Sequence, residues 1–159
     1  MVDSGRKLLN FYLSDVYIFT DAVTGKDSGN SPGYGLHLVA ETTTGCLISV
    51  EASMNHSVDE LSTPEAVGEF AAAALLEEIQ RGGVVDGAHQ SLVLMLCAVG
   101  PELISEVRLG PLTPQAVRSL RTIRDFLGVT FNVRPEKDHG TLFLSCIGCG
   151  LKNLARKTA

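Results

Sequence analysis

The stretch LHLVAETTTGCLISVE, residues 36–51, contains two runs of alternating polar and apolar residues with a short turn between them. Alternation with a period of two predicts β-strands that bury one face and leave the other in water. The turn includes Gly45, and a short glycine-bearing turn between two strands predicts a β-hairpin. Residues 36–42 and 46–51 are therefore expected to form two paired strands.

Helical patterns follow this hairpin in two places, and both begin in the same way. Thr63 and Thr113 can cap a helix, and the proline after each fits the first helical position because its missing N–H has no partner there. Gly82 follows Arg81 and supplies a left-handed residue after the first helix. Apolar residues recur at helical spacing in both segments: Val67, Phe70, Ala71, Ala74, Leu75 and Ile79, then Ala116, Leu120, Ile123 and Leu127.

A third helix is predicted between these two, with Asp86 as its cap. Residues 92–99 are apolar on all sides, so this helix is expected to be buried where two layers share a core. Gly100 and Pro101 end it.

Shorter elements complete the prediction. They are a helix from Asp3 to Leu13 capped by Asp3 or Ser4, strands over residues 15–20, 105–109, 129–133 and 141–146, a glycine-rich loop over 24–35, and a basic, fraying tail over 152–159. This order predicts an α+β fold with helices on one face of the sheets and a subdomain boundary near Gly82 and Gly83.

The composition is that of a folded protein. Hydrophobic residues make up 45% of the 159 residues and charged residues 19%, which argues against disorder. No apolar run reaches the ~18 residues that a membrane span requires. Because the N-terminus carries Asp3 where a signal peptide has positive charge, a soluble intracellular protein without membrane contacts is expected.

The charge is divided unevenly along the chain. Residues 1–83 carry four Lys/Arg and twelve Asp/Glu, a balance of −8, whereas residues 84–159 carry nine and six, a balance of +3. Such a division predicts two surfaces with different partners, the basic one being the candidate for phosphate backbones. A more acidic solvent face in one half explains the same counts, and both interpretations stay open.

Five arginines are the candidate binding residues. Arg118, Arg121 and Arg124 recur every three residues along one helix, while Arg108 precedes that helix and Arg134 follows it. Such a ridge suits RNA phosphates or an acidic protein partner. A solvated helix face is the simpler alternative, because an acidic residue interrupts the ridge at position 125.

Cysteines and glycines offer weaker signals. Cys146 and Cys149 form a lone CxxC, whose nearest histidine, His139, leaves the ligand set of a zinc site incomplete. Because this pair closes a strand instead of opening a helix, it is interpreted as structural, like Cys46 and Cys97. The glycine loop of residues 29–35 precedes a strand, which excludes a phosphate-binding helix N-terminus.

Histidines and carboxylates likewise form no recognisable catalytic set. None of the histidines, at positions 37, 56, 89 and 139, stands in a Ser or Cys pairing. Glu41 and Glu51 lie across the hairpin and could approach each other, but paired carboxylates on a wet face usually just repel.

Several segments together resemble the RNA 3′-terminal phosphate cyclase family. Residues 33–43, GYGLHLVAETT, resemble the G-x-G-L-x-L-V-A-E-T-T stretch of cyclases and their cyclase-like relatives. Residues 75–86, LLEEIQRGGVVD, resemble a stretch of the cyclase-like branch. Further matches are QSL at 90–92, LGPLTP at 109–114, CIGCG at 146–150, and the pair Asn153 and Leu154.

The resemblance implies a fold and a domain organisation. It implies helices packed on mixed β-sheets, with residues 1–83 forming most of an inserted α/β domain. Residues 84–159 would form the last βαβαββ-type repeat of the large core domain. Earlier repeats are absent from this chain, so a fragment or a truncated gene product is expected.

Two departures from the enzymes decide the function that the resemblance implies. Cyclases carry a histidine that becomes adenylated, and this position falls on Gln115, whose amide cannot attack ATP. Their Asp-Gln-Leu, which helps hold the nucleotide, is here His89-Gln90-Ser91, so only Gln90 remains. No catalytic residue, nucleotide site, cofactor or metal is therefore expected.

Both departures fit the non-catalytic, cyclase-like branch. The resemblance implies a role in small-subunit pre-rRNA processing in the nucleolus, within the small-subunit processome, through binding to a ribosome-assembly GTPase, to pre-rRNA or to both. The alternative is an enzyme, either a divergent cyclase or an endonuclease whose active residues lie in a missing N-terminal half. A degraded remnant is a further alternative. Which surface meets RNA and which meets protein is left open.

Overall fold

A computed structural model describes residues 1–30, 33–55, 63–136 and 140–152. The helices are α1 (Val2–Tyr12), α2 (Pro64–Arg81), α3 (Gln90–Val99) and α4 (Pro114–Leu127), and the strands are β1 (Gly35–Glu41), β2 (Leu47–Ser53), β3 (Ile104–Leu109), β4 (Asn132–Glu136) and β5 (Thr141–Ile147). A 3₁₀ helix occupies Gly25–Ser28, inside the predicted loop. The chain divides into a first unit, Met1–Gln80, and a second unit, Arg81–Ala159.

The first unit is an antiparallel hairpin accompanied by two helices. Strands β1 and β2 pair in the register Leu38↔Val50, so the predicted hairpin is confirmed. Burial alternates along β1, as the polar–apolar pattern predicts. The buried core of this unit consists of Leu9, Leu36, Leu38, Ile48, Ala52, Val67, Ala71, Ala72 and Leu75.

The long helix α2 begins and ends as predicted. The hydroxyl of Thr63 accepts a hydrogen bond from the backbone N–H of Ala66 at 3.3 Å. Gly82 follows the helix with a φ of 70°, a conformation that costs a residue with a Cβ atom about 1–2 kcal/mol. Helix α1 is also confirmed, although it begins at Val2 and carries no side-chain cap.

The second unit is a three-stranded sheet in the order β3-β5-β4, with α3 and α4 on one face. The Thr113 hydroxyl accepts from the Ala116 N–H at 3.1 Å, which confirms the predicted cap of α4. The core of this unit consists of Leu94, Ala98, Val107, Leu109, Ala116, Ile123, Val129, Leu144 and Cys146.

The α+β class is confirmed, but the strand directions and residues 15–20 differ from the sequence prediction. All strand pairings in the described ranges are antiparallel, so the expectation of sheets that mix parallel and antiparallel strands is wrong. Residues 15–20 form no strand, although Val16 and Ile18 still pack against the first core. A strand needs a backbone partner as well as an alternating pattern, and none of the described segments pairs with these residues.

Helix α3 and strand β4 also differ from the sequence prediction. Leu92 and Leu96 are 55% and 58% exposed, so α3 is not buried on all sides, and each unit has a core cluster of its own. Strand β4 begins at Asn132, opposite Ser145, while Val129 instead joins the core. The predicted tail lies outside the described residues beyond position 152, as do His56 and His139.

Candidate functional site

Gln115 lies in the first turn of α4, directly after Pro114, and is exposed to solvent. The Thr113 cap and the proline together begin the helix at this point, which places Gln115 at its N-terminal end. A neutral amide here can donate and accept hydrogen bonds but offers no basic nitrogen for nucleophilic attack. That the cyclases keep their histidine at this position stays a prediction.

Gln90 is buried, with 2% of its surface exposed. Both the nitrogen and the oxygen of its side-chain amide form hydrogen bonds with the loop before α4. Its Nε2 donates to the carbonyl oxygen of Pro111 at 3.1 Å, and its Oε1 accepts from the N–H of Thr113 at 2.9 Å. These two bonds join the first residue of α3 to the cap of α4. These contacts explain the burial of Gln90 by a structural role, without a bound nucleotide.

A carboxylate–imidazole pair beside Gln90 was not predicted from the sequence. Asp86 is 4% exposed, and its Oδ1 accepts from the backbone N–H of His89 at 3.0 Å and lies 2.7 Å from His89 Nδ1. Because α3 begins at Gln90, Asp86 caps the turn before the helix and not the helix itself. The spacing Asp-x-x-His is the sequence signal that could have revealed the pair.

The candidate arginines separate into two groups. Arg118, Arg121 and Arg124, here called the helix ridge, are exposed on α4. Arg124 forms an ion pair with Asp125 at 2.9 Å, whereas no ion pair to Arg118 or Arg121 occurs among the described residues. The ridge therefore presents two unneutralised guanidinium groups.

Arg108 and Arg134 lie on the sheet and not on the helix. Register places Phe143 of β5 opposite both of them, with Arg108 on β3 and Arg134 on β4. These three residues are here called the sheet row. Helix α4 packs on the other face of the sheet, beside Leu109 and Leu144. The five candidate arginines therefore lie on two different surfaces of the second unit, and their role in binding RNA or a partner stays a prediction.

The cysteines are free thiols, and two of them have perturbed pKa values. Burial raises the pKa of Cys97, although a hydrogen bond with Ser105 opposes this shift. Burial also raises the pKa of Cys146, and the neighbouring Cys97 adds to it. A raised pKa disfavours the thiolate that redox chemistry and zinc binding require, in agreement with a structural interpretation.

The hairpin brings together a different pair of side chains from the one expected. His37 is the register partner of Glu51, with 3.9 Å between Nε2 and Oε1, while Glu41 lies opposite Leu47. Glu41 and Glu51 are thus separated along the strands, and the predicted approach of the two carboxylates is wrong. No group of three metal-ligating side chains occurs in the part of the chain that the structure describes.

A groove of about 670 Å³ lies on the first unit between α1 and α2. Its walls are largely apolar, and they include the exposed rings of Phe11 and Phe70 together with Lys7 and Glu69. None of the predicted site residues lines this groove. Among the described helices, none combines the length and the apolar character needed to cross a bilayer.

Comparison with known proteins adds independent findings. The sequence model of the insert domain of RNA 3′-terminal phosphate cyclase matches residues 1–80. A Dictyostelium discoideum protein named "Probable RNA 3′-terminal phosphate cyclase-like protein" is 46% identical over 99% of this chain and 46% of its own length. The human RNA 3′-terminal phosphate cyclase-like protein is 40% identical over 98% of this chain and 44% of its own length.

A third relative carries a more specific name. A Schizosaccharomyces pombe protein named as an rRNA processing protein is 37% identical over 99% of this chain and 42% of its own length. The chain thus spans less than half the length of each of these three relatives.

Proposed function

The chain belongs to the RNA 3′-terminal phosphate cyclase family, and on that premise we propose that it acts in rRNA processing as a binding component without cyclase activity. The observation that carries the proposal is Gln115, which occupies the position where the resemblance places the histidine of the enzymes. The name of the Schizosaccharomyces pombe relative supports the process.

The chemistry of the two side chains explains why one substitution has this consequence. Adenylation requires a nitrogen lone pair that attacks the α-phosphorus of ATP and expels pyrophosphate. In an amide this lone pair is delocalised into the carbonyl group, so Gln115 cannot form the phosphoramidate. The internal bonds of Gln90 to Pro111 and Thr113 support the same view, because they give this residue a role that needs no nucleotide.

The proposal extends to partners, place and domain organisation. The process is small-subunit pre-rRNA processing in the nucleolus, with a ribosome-assembly GTPase, pre-rRNA and other processome components as partners. The exposed Arg118 and Arg121 support an acidic partner, because neither guanidinium is neutralised within the described chain. Residues 84–159 act as the last repeat of the core domain that the family shares.

Covalent labelling with ATP tests the central claim. The chain is incubated with ATP labelled at the α-phosphate and separated on a denaturing gel kept at alkaline pH, because a phosphoramidate is hydrolysed in acid, and an active cyclase of the family is the positive control. The wild-type chain is expected to carry no label above a heat-denatured sample, because it lacks the attacking imidazole. A Gln115→His variant isolates the effect of that single side chain. Covalently bound AMP on the wild-type chain would refute the proposal.

A further inference from the structure

The outer face of the second unit is a sheet surface with an aromatic residue at its centre. Phe143 lies on the middle strand β5, directly between Arg108 of β3 and Arg134 of β4. Directly opposed residues share a face, and adjacent residues along a strand point to opposite faces. Because Val107 and Leu144 are buried beneath the helices, the sheet row faces away from α3 and α4.

Arg134 already stacks on this aromatic ring. Its guanidinium carbon lies 5.0 Å from the centroid of Phe143, within the range of a cation–π contact. The pair holds the guanidinium plane in place while Arg134 itself stays exposed. A planar, exposed guanidinium supported from below offers a surface on which a nucleobase can stack.

Arg108 on the other side of the ring is held by a fork of hydrogen bonds. Its Nε lies 2.8 Å from Glu136 Oε2, and its Nη2 donates to Glu136 Oε1 at 3.1 Å. The hydroxyl of Thr141 donates to the same Oε2 at 2.7 Å. This bidentate pair fixes the side chain of Arg108 without burying it, since half of its surface is exposed.

The next rung of the sheet supplies polar groups beside the stack. Asn132 of β4 lies opposite Ser145 of β5, which in turn lies opposite Glu106 of β3. The amide and the hydroxyl can donate and accept hydrogen bonds. An aromatic–arginine platform flanked by such groups is the arrangement that proteins use to bind splayed-out bases of single-stranded RNA.

We infer that the sheet row of Arg108, Phe143 and Arg134 binds unpaired bases of single-stranded RNA, with a base stacked on the Arg134–Phe143 pair. The inference rests on the proposed function in rRNA processing, and it assigns RNA to the sheet face. The helix ridge on the opposite side of the unit is thereby left to other contacts.

The charges on this face predict how the binding responds to salt. Glu136 forms an ion pair with Arg108, and Glu106 lies on the same face one rung away, so the two arginines and two glutamates of this face sum to no net charge. Stacking then contributes more to affinity than phosphate contacts do, and the slope of log K against log salt is shallow, with a magnitude of about 1 or less. Binding through the helix ridge, with its two unneutralised guanidinium groups, would give a steeper slope.

Tryptophan fluorescence can locate the RNA directly, because the chain contains no tryptophan. A Phe143→Trp variant of the full chain places the single fluorophore in the sheet row, and a Phe126→Trp variant places it on α4, where Phe126 is 84% exposed. Each variant is titrated with a ten-nucleotide oligoadenylate RNA. Quenching is expected for Phe143→Trp alone, because a base stacked on the pair of Arg134 and residue 143 lies beside this indole and on the opposite side of the sheet from residue 126.

Matched charge removals provide the second measurement. Arg134→Ala and Arg118→Ala each remove one positive charge, but only the first removes the stacking surface. Loss of one stacking contact is expected to weaken oligoadenylate binding about tenfold in Arg134→Ala, against about twofold or less in Arg118→Ala. Arg134→Lys, which keeps the charge and loses the plane, is expected to bind like Arg134→Ala.

Each outcome separates the inference from the function on which it rests. Wild-type affinity in Arg134→Ala and Arg134→Lys would contradict RNA binding at the sheet row, and so would quenching of Phe126→Trp alone. Either result would leave the proposed role in rRNA processing intact, with the helix ridge as the binding surface. Absence of oligoadenylate binding by the wild-type chain would overturn RNA binding at the sheet row too. The proposed function fails separately, by covalent AMP on the wild-type chain.

Discussion

At the scale of single residues, Gln90 shows how one buried amide can connect two helices. It is the first residue of α3, yet both of its hydrogen bonds reach the segment that begins α4. A buried amide must satisfy its donors and acceptors inside the protein, because no water is there to replace a lost partner. Its contacts with Pro111 and Thr113 therefore hold the N-terminal end of α4, where Gln115 lies.

Replacement of this amide is expected to destabilise the second unit. Gln90→Ala leaves the carbonyl of Pro111 and the N–H of Thr113 without their partner, at a cost of about 1–3 kcal/mol in the free energy of unfolding. Gln115→Ala, at an exposed position, is expected to change it by less than about 0.5 kcal/mol. Urea denaturation followed by circular dichroism measures both, and equal effects of the two variants would contradict this role.

At the scale of elements, the contact between α1 and α2 depends on glycine. A Cβ atom on Gly68 of α2 would overlap the backbone oxygen of Met1, and one on Gly5 would lie 3.1 Å from the oxygen of Gly68. Both obstructions are backbone atoms, which cannot move aside as a flexible side chain can. The two helices approach at this distance because neither residue has a side chain.

Two opposing effects decide the outcome of a Gly68→Ala substitution. Alanine favours a helix interior over glycine by about 1 kcal/mol, whereas overpacking against a fixed backbone costs about 1–3 kcal/mol or more. Because the collision is severe, a net loss of about 1–2 kcal/mol is expected in the unfolding of the first unit. Thermal denaturation measures it, with Gly33→Ala, which meets open space, as control. A stabilised Gly68→Ala variant would show that α1 does not pack there.

At the scale of the whole molecule, many large apolar side chains remain on the surface of the described residues. They include Leu92 and Leu96 on α3, Leu103 and Ile104 at the start of β3, Phe126 on α4, and Phe11 and Phe70 beside the groove. Phe11 and Phe70 line the same groove, and exposed apolar surface that is contiguous in this way marks interaction sites on soluble proteins. A binding component has use for such surface, in agreement with the proposed function.

Helix α3 allows the buried and exposed apolar residues to be tested side by side. Leu94→Ala, at a fully buried site, is expected to lower the free energy of unfolding by about 2–5 kcal/mol. The paired substitutions Leu92→Ser and Leu96→Ser are expected to cost much less, and to reduce the fluorescence of a bound hydrophobic dye. Denaturation and dye titration measure the two effects. A larger loss for the exposed pair would mean that α3 is covered on both sides.

What the sequence determined by itself lies within short stretches of chain. The cap, proline and terminal residues of α2 and α4, and the alternation in β1 and β2, act over a few residues, so their patterns predicted these elements correctly. Family resemblance added the prediction that Gln115 stands where the cyclases carry their histidine, and the geometry of α4 alone does not test it.

Only the tertiary structure decided which distant segments meet. Residues 15–20 have a strand pattern but no partner, and α3 is apolar all round yet covered on one side. Arg108 and Arg134 joined Phe143 on the sheet and left the helix ridge because register, not spacing along the chain, places them. Pairing and burial are properties of two segments at once, and the pattern of either segment alone does not contain them.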